Sequence, residues 1–272
     1  MVINTNMAAI TSASNLDKST NELNNALAQL SSGSKITSPA DDPAGLAESI
    51  ALGAQIGQVN AANSNVSNAI SFSQTQDGYL QQVGAALDQM STLAVEAQDP
   101  TKTTAQLSDY NQEFTALANY ITNTASASFN GVSLFSGTDG TASGLTITTD
   151  GKGGTFQMTA VNLGASAYTT ATNSSISSTT AAATALTNVT AAITALATDR
   201  ANVGANEETL TYTGDELGVL ADNLTAASSN LTDVDVATES TKYAAYQILV
   251  QSGTSMLAQA NQNPQSVLKL LQ

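Results

Sequence analysis

The sequence predicts a mainly α protein: a long antiparallel coiled-coil helical bundle with a small β-hairpin region, its N- and C-terminal helices paired. Three observations carry this expectation. Aromatic residues make up only 4% of the chain and Trp is absent, so a compact globule would have a thin core. Ala-rich helices with Leu, Ile and Val at selected positions instead suit long, closely packed bundles. Two long segments, one in each half, repeat apolar residues in alternating steps of four and three. The last residues, Val267, Leu268, Leu270 and Leu271, are spaced like a buried helix stripe where chain ends ordinarily fray.

The elements follow in order. Leu16, Leu23, Leu27 and Leu30 share one helical face, and Ser31-Ser32-Gly33 is a helix stop. In Ser38-Pro39-Ala40-Asp41-Asp42-Pro43-Ala44-Gly45 two prolines bracket two carboxylates suited to cap a new helix. From Pro43 to about Gln98 no proline intervenes, and Leu52, Ile56, Val59, Asn63, Val66, Ile70, Ser73, Asp77 and Leu80 step as heptads. After one shift the stripe continues through Val83, Leu87, Met90, Ala94 and Ala97. At 1.5 Å per residue such a helix reaches roughly 80 Å. Asp99-Pro100 ends it.

A third helix carries Leu107, Tyr110, Phe114, Leu117 and Ile121, and ends before the turn signal Phe129-Asn130-Gly131. Leu145 to Thr149 alternates as a strand, Asp150 to Gly154 is a turn, and Thr155 to Val161 is the return strand. The Ser/Thr/Ala-rich stretch after it reads as a surface loop. A second long helix runs through Leu186, Val189, Ile193, Leu196, Arg200 and Val203, then Leu210, Leu217, Leu220, Leu224, Ala227, Leu231 and Val234, and a last one through Tyr246, Leu249, Val250, Met256 and Leu257. Breaks between helical units divide the chain into 1–44 plus 236–272, a terminal helical domain, and 45–235, a long-helix bundle domain. The second holds a β hairpin near 144–163 and a Ser/Thr/Ala loop over 164–183.

Seven basic residues against twenty-two acidic ones give a formal charge of −15. No basic surface can be assembled for nucleic acid, and anionic membranes are excluded by the same argument. No contiguous run of about eighteen apolar residues suggests a membrane span. The first residues have no basic n-region and no apolar h-region, so no Sec signal is expected. Cys and His are both absent, which removes disulfides, thiolate metal sites and His-based triads. Asp41 and Asp42 read as helix caps rather than an acid/base pair. Asp233, Asp235 and Glu239 lack a calcium-type loop, and the glycines around Lys152 lack phosphate-loop spacing. Tyr243 and Tyr246 read as packing residues. No cofactor, metal or catalytic residue is expected.

Taken together, several segments resemble the bacterial flagellins. They are Val2-Ile3-Asn4-Thr5-Asn6, Leu30-Ser31-Ser32-Gly33, Asp41-Asp42-Pro43-Ala44-Gly45, Leu93-Ala94-Val95, Phe129-Asn130-Gly131, Ala237-Thr238-Glu239, Gln247-Ile248-Leu249 and Gly253 to Gln262. They occur in the family's order over about the first 135 and last 85 residues. The resemblance implies a hairpin-like subunit whose paired terminal helices, 1–44 plus 236–272, line the inner core of a tubular filament.

Subunit assembly is then expected to involve Ile3, Leu23, Leu27 and Leu30 of the first helix. From the last it would involve Tyr246, Leu249, Val250, Met256, Leu257, Val267, Leu268, Leu270 and Leu271. Segments 1–35 and 240–272 are expected to be poorly ordered in the monomer and to fold on assembly. The resemblance further implies copies of this chain, an export chaperone, and junction and cap proteins as partners. It implies type III export to an extracellular or periplasmic flagellar filament for motility. Many flagellins sensed by the vertebrate Toll-like receptor carry an arginine just before Leu-Ala-Val. Gln89 stands there in this chain, with Leu93 and Glu113 in the region that would face the receptor. Ser and Thr between Thr138 and Thr190 are open to O-glycosylation. The alternative reading is a hook–filament junction protein, which shares similar termini.

Overall fold

The computed structural model describes residues 5–135 and 144–270, with side chains described as far as Asn263. The element order is α1 (Met7–Ser32), α2 (Pro43–Glu96), α3 (Thr104–Thr124), β1 (Ser128–Phe129), β2 (Val132–Ser133), β3 (Thr146–Thr148), β4 (Thr155–Gln157), α4 (Ser166–Thr172), α5 (Thr179–Thr232) and α6 (Val236–Leu270). Helix dominates, as the heptad spacing predicts. Residues 1–56 with 222–272 form one compact unit, and residues 57–221 form the other. These limits fall inside the long helices, whereas the sequence boundaries follow helix breaks.

In the first unit α1 packs along α6. Asn6 caps α1 by accepting from the Ala9 N–H, and Gly33 closes it in the left-handed region. The segment after α1 pairs with the junction of α5 and α6. Lys35 N donates to Thr232 O at 2.6 Å, and Val234 N donates to Gly33 O at 3.1 Å. Asp42 accepts from the Gly45 N–H at the start of α2, and Asp235 accepts from the Ala237 and Thr238 N–H groups at the start of α6. Both carboxylates therefore satisfy amides that the first helical turn leaves without partners. Helices α1 and α6, which lie largely within the segments expected to order on assembly, pair with one another here, each covering part of the other's stripe. Ala26 and Ala260 are buried there.

In the second unit α2 and α5 run antiparallel. Arg200 of α5 forms a bidentate pair with Asp77 of α2, and Glu207 accepts from the Gln74 amide. The predicted α2 stripe is buried at Val59, Val66, Ser73, Leu80, Val83, Leu87, Met90, Ala94 and Ala97, whereas its members Leu52, Ile56, Asn63, Ile70 and Asp77 are half-buried. A second seam, Ala62, Ala69, Phe72 and Gln76, is buried beside it, because α2 also packs on the small β elements. Phe72 meets Phe129 edge-on at 6.1 Å, and the Gln76 amide donates to Leu134 O. On α5 the stripe Val189, Leu196, Val203, Leu210 and Leu217 is buried, while Leu220 is exposed. An 18-residue window of α5, with mean hydropathy 1.3, is long and apolar enough by composition to cross a membrane, although 28% of it is buried inside the protein. One buried stripe on an Ala- and Thr-rich helix accounts for that share.

The Asn-Gly signal forms a two-residue hairpin. Ser128 pairs with Ser133 and Phe129 with Val132, around Asn130 and Gly131 at φ 50° and 81°. The second hairpin sits where the alternation placed it, with Ile147 opposite Phe156. The Ser/Thr/Ala loop expected over 164–183 is corrected: α4 occupies part of it, and α5 begins at Thr179. Tyr168, Ala171 and Ile176 are fully buried there, and Asn111 of α3 accepts from the Ile176 N–H. Low-complexity composition hid a short amphipathic segment. Thr tolerates this helix because its hydroxyl returns to a carbonyl one turn back, as Thr169 does to Ala165.

Two polar atoms in the α2 core, Ser73 Oγ and Gln76 Oε1, have no partner among the described residues. An unsatisfied buried hydroxyl costs about 1–3 kcal/mol, and Ala is the better helix former. Ser73→Ala is therefore expected to stabilise the protein by about 1 kcal/mol in urea unfolding; a loss of stability would contradict the unpaired assignment.

Candidate assembly surface

The α1/α6 pair buries little and exposes much. Leu23 and Leu30 on α1, and Tyr246, Val250 and Leu257 on α6, are half-buried between the helices. Leu27, Leu249 and Met256 are exposed, at 51%, 51% and 61%. Met7, Ile10 and Ile248 join them, although sequence spacing did not single these out. The spacing gave no signal for them, because each residue turns a helix by about 100° and Ile10 and Ile248 stand well away from the Leu stripes. Ile3 and Leu271 lie outside the described residues, and Val267, Leu268 and Leu270 are placed by backbone alone as the continuation of α6.

Electrostatics steady the segments that flank this surface. Asp41 Oδ2 accepts from the Thr37 and Ser38 N–H groups and the Thr37 hydroxyl. The Ser38 amide first, then the Thr37 hydroxyl, hold its carboxyl below the usual carboxylate range. The Thr238 hydroxyl, then its amide, do the same for Asp235. Because these folded-state pKa values are depressed, the carboxylates contribute stability above the ordinary carboxylate range and lose it as pH falls through the folded values. Glu239 is buried and pairs with Lys242 at 2.9 Å, which raises the Lys242 pKa.

The second unit carries its polar groups differently. Asn206 is buried and holds both sides of Thr159, accepting from its N–H and donating to its carbonyl. It docks the strand exit onto α5 as a neighbouring strand would. Asn206 sits on the core stripe beside Val203 and Leu210, and that placement was the only sequence signal for it. The Tyr168 hydroxyl donates to Asp199 at 2.6 Å. Burial raises the Asp199 pKa, with the Tyr168 hydrogen bond opposing the shift. An acid whose folded pKa is raised destabilises the fold once it ionises, and that loss disappears as pH falls through the folded value. Asp199→Asn is accordingly expected to stabilise the protein at pH 7, with the advantage shrinking toward pH 4 in denaturant unfolding. An advantage that grows in acid would refute the burial argument.

The residues proposed to face a receptor separate on the surface. Gln89 and Glu113 are exposed and hydrogen-bonded to one another at 3.2 Å, while Leu93 is in the core. A groove of about 530 Å³ between α2 and the hairpins is lined by Asn65, Asn68, Phe72, Phe129 and Ile147, among others. It gathers no titratable group. Among the described residues no three metal-ligating side chains converge, so Asp233, Asp235 and Glu239 form no such cluster.

One unit is a paired-helix unit with exposed apolar side chains on α1 and α6, the other is built around antiparallel α2 and α5, and both are of the coiled-coil helical class. Residues 3–140 match the bacterial flagellin N-terminal helical region, and residues 186–271 match the bacterial flagellin C-terminal helical region. The chain belongs to the bacterial flagellin family. It is 34% identical over 285 residues to the flagellar filament 33 kDa core protein of Treponema phagedenis, with both chains fully covered. It is 33% identical over 272 residues to a flagellin of Halalkalibacterium halodurans, again over the whole of both.

Among solved structures, a putative flagellar hook-associated protein of Vibrio parahaemolyticus shares the fold. Its TM-score is 0.62 at 15% identity, covering 71% of this chain and all of that one. The Bacillus cereus flagellin crystal structure aligns at TM-score 0.49 and 24% identity, over 61% of this chain and 94% of that one.

Proposed function

We propose that this chain is a structural subunit that polymerises into the bacterial flagellar filament, and that its role is mechanical rather than enzymatic. The observation that carries the reading is the set of exposed large apolar side chains on α1 and α6, Met7, Ile10, Leu27, Ile248, Leu249 and Met256. Full-length similarity to a filament core protein and to a flagellin supports it over the junction alternative. Burying each such aliphatic side chain contributes about 1.5–3 kcal/mol, and copies arranged head to tail bury it without closing a ring. Leu23, Leu30, Tyr246, Val250 and Leu257 are half-buried on the same two helices, and Ile3, Val267, Leu268, Leu270 and Leu271 belong to the assembly residues that this reading assigns. Export through the flagellar type III apparatus, a chaperone, and junction and cap proteins belong to the same reading.

The charge of −15 makes copies repel, and salt screens that repulsion over about 8–10 Å. Assembly is therefore expected to rise when salt is raised over purified protein carrying filament seeds. Long uniform tubes in negative-stain electron microscopy are the expected outcome. Rings, or monomers that never elongate on seeds, would transfer the chain to the junction class. With Gln89, hydrogen-bonded to Glu113, where many receptor-sensed flagellins carry an arginine, weak or absent activation of the flagellin-sensing receptor is expected. Nanomolar signalling in a reporter assay would reverse that.

A further inference from the structure

We infer that Asn6 is a positioning residue that locks the register of the α1/α6 pair by replacing the backbone donor that Pro264 removes. In a helix the carbonyl of residue i meets the N–H of residue i+4. Helix α6 continues from Val236 to Leu270, so the donor for Ala260 would come from position 264. That residue is Pro264, which has no N–H. Ala260 is only 7% exposed, so water does not readily supply the missing bond. Asn6 does: its Nδ2 donates to Ala260 O at 2.7 Å, across 254 positions of sequence.

The other end of the same amide is also used. Asn6 Oδ1 accepts from the Ala9 N–H at 3.2 Å and caps α1. Turning the amide over would set its oxygen against the Ala260 carbonyl and its NH₂ against the Ala9 N–H, so the two bonds fix its orientation together. One side chain closes a defect in each helix, and it does so only when the two helices are in this register. Sliding α6 by one turn would leave the Ala260 carbonyl and the Asn6 amide both unpaired.

Two further contacts agree with that register. A Cβ at Gly253 would come within 3.1 Å of Leu16 Cδ1, so the helices approach closely where position 253 is glycine. At the far end of the pair, the hydrogen bonds Lys35 N to Thr232 O and Val234 N to Gly33 O hold the chain leaving α1. The latch rests on the proposed filament reading, in which α1 and α6 pair as they do here.

The test is amide hydrogen exchange on filaments grown from seeds, read on peptides spanning 5–16 and 253–263. Failure to grow filaments would count against the filament reading, whereas the exchange pattern decides the latch. Asn6→Asp keeps the capping oxygen and removes the donor, and Asn6→Ser keeps a capping oxygen without adding charge while withdrawing the donor by one bond from Ala260 O. Pro264→Ala returns a backbone N–H to α6. Both Asn6 variants should accelerate exchange in the two segments roughly five- to tenfold, the size of one hydrogen bond, with 57–221 unchanged. In the Pro264→Ala background the same variants should change exchange less than about twofold, because the coupling between the positions is gone. Equal acceleration in both backgrounds would reduce Asn6 to a helix cap and overturn the latch. So would ends that exchange freely in the unaltered chain.

Discussion

Replacing Ile248 and Leu249 together by Glu is expected to leave the monomer folded and to abolish filament growth. Both side chains are largely in water, Ile248 at 64% and Leu249 at 51% exposure, so the new carboxylates cost the free chain little. The α6 backbone at these positions is regular helix, and Glu is a good helix former. On assembly the same positions would be covered by a neighbouring copy. Burying an unpaired carboxylate costs several kcal/mol even after relaxation, and two of them exceed the roughly 1.5–3 kcal/mol that each aliphatic side chain contributes. A rise in critical concentration of at least about 100-fold is expected, each factor of ten corresponding to about 1.4 kcal/mol. Circular dichroism should report an unchanged helical monomer, and seeded growth followed by light scattering should report no elongation. Normal growth of the double variant would remove the α6 face from the assembly surface.

Phe114→Ala is expected to be the most damaging single truncation in the second unit. Phe114 is fully buried on α3 and lies on the stripe with Leu107 and Ile121, which are also buried. With only five Phe and no Trp in the chain, few neighbours are large enough to collapse into the space left. Large-to-small changes of this kind cost about 3–5 kcal/mol, a substantial share of the roughly 5–15 kcal/mol that stabilises an ordinary domain. Thermal unfolding should shift down by roughly 6–20 °C. A cost below about 1 kcal/mol would mean that α3 is not part of the cooperative core. The Arg200–Asp77 pair is a contrasting case: its Arg side chain is 44% exposed, and pairs of that kind contribute at most about 1 kcal/mol.

How much was legible in the sequence differs by element. The heptad steps through Val59, Val66 and Leu80 predicted α2 and its buried face, because a helix facing one direction for many turns must repeat its apolar residues at the helical period. The Asp41-Asp42-Pro43 break was legible for a related reason: caps and prolines act within a turn of themselves. The hairpins were legible from alternation and from Asn130-Gly131. Segment 164–183 was not, because Ala and Thr are compatible with loop and helix alike. There the outcome rested on the burial of Tyr168 and Ile176 against residues remote in sequence. The assembly face was half legible. Leu27, Leu249 and Met256 followed from spacing, but Ile10 and Ile248 emerged only once α1 and α6 were paired and their remaining exposure became visible.

The sequence by itself determined the helical period, the positions of the breaks, the absence of Cys and His chemistry, and the family, since these depend on local spacing and composition. Tertiary structure alone decided three things. It put Asn206 inside the core as the partner of Thr159, it placed Asn6 against the carbonyl freed by Pro264, and it sorted apolar residues of α1 and α6 into covered and uncovered ones. Each depends on which residue a distant segment brings alongside, and a hydrogen bond across 254 positions leaves no periodic trace in either of the segments it joins.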